Sequence, residues 1–279
     1  MSGDIDFTQG GYNGGDDENF FKWFTIPHME YWWYFREVLW ASQFVAPYWQ
    51  RVDGTMLSDE EQKELIAISM LNYAVQTGLV EALVSFDQMQ AELHRIVSPT
   101  RILEVRRLWK ATYSSLYTGF NSLCNIVYVL VEQTSVWKKN TPNFVMNYTP
   151  NDAIKSVDGK HPNLIEPLRR CNSRLEIRSH LDHYWTIWVN IQHGVFMMDE
   201  NFKKGYLAIR PEDVSTKVDA LQRTYEDIIE IAKDCNLVYR ELAVLGGFLD
   251  QYLAAKGWLV DYTNYQPHGG QRPRTKQSP

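Results

Sequence analysis

Ala111–Val131 is a run of uncharged residues, ATYSSLYTGFNSLCNIVYVLV. It constrains the chain more than any other stretch. Its length would cross a bilayer. Thr112, Ser114, Ser115, Thr118, Asn121, Ser122 and Asn125 are too polar for a lipid-facing helix, because each would lose its water without gaining a partner. The run is therefore expected to be a central helix surrounded by protein. The apolar spacing along most of the chain is helical as well, so the expected class is all-α: a multi-helix bundle of long helices.

The rest of the chain is consistent with that. Aromatic residues at Tyr31, Trp32, Tyr34, Phe35, Trp40 and Phe44 predict a first helix within residues 27–50, limited by Pro47. This aromatic stripe is expected to be core before it is a base-stacking surface. Ser58 and Glu61 have capping-box spacing. Leu65, Ile68, Leu71 and Val75 then recur at helical intervals up to about Val97, with Gly78 as a candidate break. A helix is expected from about Arg101 to Trp137. Residues 138–162, rich in Pro, Asn and Asp, are expected to be an irregular connection. A further helix starts near Pro162 or Asn163. Strand signals occur only around Gly194–Met198 and Tyr206–Ile209, as one short β-hairpin within residues 194–209. The last helix runs from about Thr216 to Ala255, interrupted near Gly246-Gly247.

The expected organisation is a disordered acidic N-terminus (1–19), a single helical domain (20–262) and a flexible basic tail (263–279) with Arg272, Arg274 and Lys276. A net charge of −6 gives no global basic excess for nucleic-acid binding, although local phosphate contacts need only a few side chains. Cys124, Cys171 and Cys235 form no metal or redox motif and are expected to be reduced core thiols in a cytoplasmic protein. Asp87, Glu92 and His94 are expected on a solvated face.

The helix after Pro162 carries two apolar stripes, Leu164/Leu168/Cys171/Leu175 and Ile177/Leu181/Tyr184/Trp188/Ile191. They lie on roughly opposite sides at 100° per residue. This helix must pack on both sides or change partner near residue 176. Its titratable residues crowd into RSHLDHYW, Arg178 to Trp185. Arg178-x4-His183 and Arg174-x5-His180 resemble the Arg-x4–6-His signature of HEPN domains. The resemblance covers about residues 100–255, a HEPN-like core, and Ser179 stands where members often carry Asn, Asp or His.

This resemblance implies an all-α bundle whose protomers pair with their motifs in one cleft. It also implies a metal-independent endoribonuclease, toxin-like or anti-phage, cleaving RNA through a 2′,3′-cyclic phosphate. Arg178 and His183 would be catalytic, with His180 and Glu176 in support. Arg174, Ser179 and Tyr184 would bind substrate. No metal and no cofactor are required. The expected partners are RNA, a second protomer, and an antitoxin or other defence-system protein, without a membrane. Histidine suits proton transfer at neutral pH and arginine matches phosphate geometry.

A different reading uses the same residues structurally. Arg178/Asp182 and Glu176/His180 are i,i+4 pairs, and a solvated helix flank needs no chemistry. The chain is then a non-catalytic helical binding or assembly protein. His180 and His183, at i,i+3, have no Glu-x-x-His or His-x3-His companion elsewhere, so a metal enzyme is disfavoured.

Overall fold

The computed structural model describes residues 29, 31–32, 35, 53, 55–93, 98–137, 148–183, 189–192, 195–199, 217–244 and 246–258. The expectations for residues 1–19, 138–147, 206–209 and 263–279 lie outside them. The described chain is a helical bundle with one small sheet, as its periodicity predicts.

Helix α1 (Asp59–Leu93) opens on the expected capping box. The Ser58 amide donates to Glu61 Oε2 at 2.8 Å, and the Glu61 amide donates to Ser58 Oγ at 3.3 Å. Helix α2 (Pro99–Val131) opens on Ser98, whose Oγ accepts from the Arg101 amide, with Pro99 in the first turn. The two run antiparallel. Arg101 reaches back to the Leu93 carbonyl, and Ser115 bonds Glu81.

Gly78 does not break α1. It lies where α1 and α2 cross, and a Cβ there would sit 2.6 Å from the Ser115 carbonyl oxygen and 2.8 Å from the Gly119 nitrogen. The glycine is needed for close backbone approach.

The uncharged run lies within α2 and is largely buried, with Leu123, Cys124, Ile126, Val127, Val129 and Leu130 of its second half wholly inside. Helix α2 ends at Val131 instead of Trp137. Gln133 turns into the left-handed region, and the Thr134 amide returns to the Val129 carbonyl.

Helix α3 (Pro150–Val157) corrects the expectation of an irregular connection through Pro162. Its Pro and Asp are cap residues. The Thr149 amide donates to Asp152 Oδ2 at 2.8 Å, the Asp152 amide donates to Thr149 Oγ1 at 3.3 Å, and Pro150 holds the first turn.

Helix α4 (Pro162–Arg174) and helix α5 (Glu176–His183) replace the single long helix expected there. Strands β1 (Val189–Gln192), β2 (Val195–Asp199) and β3 (Lys217–Asp219) form an antiparallel sheet in chain order. Val189 pairs with Met198, and Met197 with Asp219. Ile191, expected on the helix, therefore belongs to the sheet. The expected first strand is β2, but its hairpin partner is β1.

Helix α6 (Ala220–Ala243) starts later than Thr216 because Lys217–Asp219 pair with β2. Helix α7 (Phe248–Ala255) follows the expected glycine break, where Gly246 has φ +74°. One buried cluster runs from Met29, Trp32 and Phe35 to Trp258. Of the aromatics expected within residues 27–50, Trp32 and Phe35 are core and Tyr31 is partly buried against it, while Tyr34, Trp40 and Phe44 lie outside the described residues.

Among the described residues, α1 is the helix long and apolar enough to cross a membrane by length and composition, and more than half of that stretch is buried inside the protein. The three cysteines are buried and free of disulfides. Burial pushes the Cys124 and Cys171 thiols well above the usual range, which makes them poor nucleophiles. Asp87 is exposed and Glu92 partly so, while His94 lies outside the described residues.

Candidate functional site

The helix that carries the Arg/His motif changes partner, as one of the two sequence options required. Leu164, Leu168, Cys171 and Leu175 are all buried, and α4 packs on α6. The chain then breaks at Leu175, whose amide still donates to the Cys171 carbonyl. The Arg178 amide caps back onto the Leu175 carbonyl at 3.0 Å. Helix α5 follows, with Ile177 buried, and packs on α2.

Arginines follow one another at i,i+4 spacing along these two helices. Arg170 meets Asp234 of α6, with Nη2 2.5 Å and Nε 3.1 Å from Oδ1. Arg174 Nη1 lies 2.9 Å from Asp227 Oδ1. Arg178 stacks on Tyr117 of α2, its guanidinium carbon 4.1 Å from the ring centroid. The first two arginines neutralise carboxylates of α6. The third, one turn further and past the break, meets an aromatic ring.

Asp227 is the centre of this arrangement, at 2% exposure. Its Oδ2 accepts from Tyr113 OH at 2.8 Å and from Arg223 Nε at 3.3 Å, while Oδ1 faces Arg174. A buried carboxylate is tolerated only when paired and hydrogen-bonded, and here it has three donors. Burial, then the Asp227 charge, pushes the Tyr113 phenol well above its ordinary range, so Tyr113 donates as a neutral group. Next to it, Trp109 Nε1 donates to Thr224 Oγ1 at 2.9 Å.

The expected site residues divide as follows. Arg174 is held by Asp227. Arg178 is partly exposed, and Glu176 and Ser179 are exposed. His180 and His183 belong to α5, and His183 is its last residue. The side chains of residues 180–183, and all of Tyr184, lie outside the described residues. The i,i+4 pairings Arg178/Asp182 and Glu176/His180 fall there too.

Sequence reasoning missed Asp227, Asp234, Tyr113, Tyr117 and Arg170. Spacing did not reveal them. Arg170 and Arg174 are one turn apart but meet Asp234 and Asp227, which are two turns apart on a distant helix, and Arg178 meets Tyr117.

A second polar node lies elsewhere. Buried Glu64 accepts from Tyr252 OH at 2.7 Å and from the Val136 amide at 3.3 Å, with Lys256 Nζ 3.2 Å away. It ties α1 to the end of the described chain and has the character of a structural staple. Among the described residues, no cluster of three or more His, Cys, Asp or Glu side chains has metal-binding geometry.

Comparison with protein-family models, with curated proteins and with solved structures finds no match.

Proposed function

We propose that the chain is a metal-independent endoribonuclease of the HEPN type, a toxin-like or anti-phage effector working as paired protomers. One observation carries the reading. Arg178 and His183 share a short, discrete helix, α5, on which Arg178 is a partly exposed residue whose guanidinium stacks on Tyr117, with its Nε buried. Stacking engages the face of the guanidinium, whereas phosphate is met by its in-plane N–H groups. The two roles are compatible in one arginine.

His183 acts as the principal acid and base. It takes the ribose 2′-OH proton as that oxygen attacks phosphorus, and the imidazolium so formed returns the proton to the 5′-oxygen as the P–O5′ bond breaks. Arg178 binds the phosphate and stabilises the charge that develops on the phosphorane. His180 and Glu176 support the histidine, and Ser179 and Tyr184 contact substrate. Arg178 and His183 are about 140° apart around an ideal helix, so a phosphate uses Arg178 of one protomer and His183 of the other. The products are a 2′,3′-cyclic phosphate and a 5′-hydroxyl.

The test is cleavage of single-stranded RNA by the full chain in EDTA, with product ends analysed. Wild type is expected to leave cyclic phosphates. His183→Ala and Arg178→Ala, each with an unchanged circular-dichroism melt, are expected to lose at least about 100-fold in rate. Equal activity in wild type and His183→Ala removes the assignment.

A different observation favours a non-catalytic binding or assembly protein. Arg170 and Arg174 are already balanced by Asp234 and Asp227, and the chain as a whole is acidic, at −6. On this reading the arginine row is a structural seam, and Arg178 is its last packing contact. Absence of RNA cleavage by wild type, together with a large loss of stability in Arg178→Ala, is the outcome that supports it.

A further inference from the structure

The outward face of α1 carries large apolar side chains in solvent. Ile66 is 43%, Met70 60%, Tyr73 45% and Val84 45% exposed. Thr77, also exposed, and partly buried Val80 complete the row. The intervals from Ile66 to Val84 alternate four and three, which is the seam spacing of a helix that packs against another helix. Any outward helix face keeps this period; what sets this one apart is that five of the six positions, Ile66, Met70, Tyr73, Val80 and Val84, are apolar. The opposite face of α1 is already used, because Leu65, Ile68, Leu71, Val75, Leu79 and Ala82 are buried.

The seam ends in charge at both sides. Lys63 precedes Ile66 by three residues, Asp87 follows Val84 by three, and both are exposed. Glu81 beside the row bonds Ser115 of α2. The order of intervals is the same read in either direction, with its centre at residue 75. Placing a second α1 antiparallel across it sets Ile66 opposite Val84, Met70 opposite Val80 and Tyr73 opposite Thr77. The same placement sets Lys63 opposite Asp87 at both ends. A parallel placement stacks lysine on lysine and aspartate on aspartate.

We propose that this face docks a second copy of the chain, α1 against α1, antiparallel about a two-fold axis near residue 75. The pattern is that of an isologous contact, in which one patch serves both partners. The contact runs from Lys63 to Asp87, about 36 Å of helix. It excludes water from the apolar row and leaves the terminal ion pairs at the rim, where they set orientation more than affinity. Met70, unbranched and adaptable, fills the space opposite Val80. The inference does not rest on the nuclease reading, which concerns α5.

The test is sedimentation of the full chain, combined with disulfide trapping. Wild type and His183→Ala are both expected to sediment at twice the chain mass at tens of micromolar where α1 is the sole contact, and at four times where α5 pairs as well. Met70→Glu, with an unchanged melt, is expected to raise the dissociation constant by at least about tenfold. Lys63→Glu and Asp87→Lys are each expected to raise it about two- to fivefold, and their combination to restore it. Single-cysteine additions give the geometry. Met70→Cys mixed with Val80→Cys is expected to form a mixed disulfide, and neither to link to itself. A monomeric wild type overturns the proposal, including one that floats with phosphatidylcholine vesicles or binds only another protein. So does a dimer unaffected by Met70→Glu, or a Met70→Cys chain that links to its own copy.

Discussion

The α1–α2 crossing and the α4–α6 seam hold their helices together by opposite means. At the crossing, Gly78 and Gly119 bring backbone against backbone, and the atoms nearest to each are main-chain atoms of the other helix. At the seam, Asp227 and Asp234 of α6 each meet an arginine of α4. The crossing depends on the absence of atoms, and the seam on the presence of charge. The crossing should therefore be intolerant of added volume, and the seam intolerant of a lost partner.

The largest effect is expected at the crossing. Gly78→Leu places carbon against the Ser115 carbonyl and the Gly119 backbone, where no flexible side chain can yield. The helices must separate, and the loss is expected to be about 4 kcal/mol or more, enough to prevent folding. Urea titration checks it. A variant that melts within about 1 kcal/mol of wild type would show that the two helices slide apart freely.

Asp227→Ala comes next and tests the seam. It leaves Arg174, Arg223 and Tyr113 without their shared acceptor. Loss of one partner of a buried pair costs about 3–5 kcal/mol, and the lower end is expected here because Arg174 and Arg223 reach solvent. Asp227→Asn, which keeps an acceptor for Tyr113, should lose less. Equal losses for the two variants would assign the effect to shape instead of charge.

The two regions also differed in legibility. The crossing belongs to helices whose apolar periods and caps are local signals, and Ser58/Glu61 and the uncharged run of α2 were read correctly. Gly78 was misjudged, since composition alone cannot tell a helix break from a close approach. The seam was read less well. Its apolar stripe was visible, but Asp227 and Tyr113 are 114 residues apart in sequence, and no local period links an arginine row to acids on a distant helix. Thr149-Pro150-Asn151-Asp152 was read as loop chemistry because the residues that start a helix also make turns. As for the candidate site, a helix through Arg178 was expected, but neither the break at Leu175 that makes α5 a separate helix nor Tyr117 under the guanidinium was legible.

The smallest expected effect separates the hydrogen bond at the seam from its charge. Tyr113→Phe keeps the ring and removes one donor to Asp227, at a cost of about 1–2 kcal/mol at neutral pH. It should also change the alkaline limb of stability. Burial raises the Tyr113 phenol in the folded state, ahead of the Asp227 charge, and burial does the same for Tyr239 and Tyr252. An unfolded tyrosine loses its proton near about pH 10. Above that pH the unfolded chain binds fewer protons than the folded one, so stability is complete below it and falls as pH rises. With Tyr113→Phe, one proton drops out of that difference. Wild type should lose stability more steeply than the variant above about pH 10, and their stability curves should converge there. Parallel curves across the alkaline range would mean that Tyr113 ionises as readily folded as unfolded, contrary to its burial against Asp227.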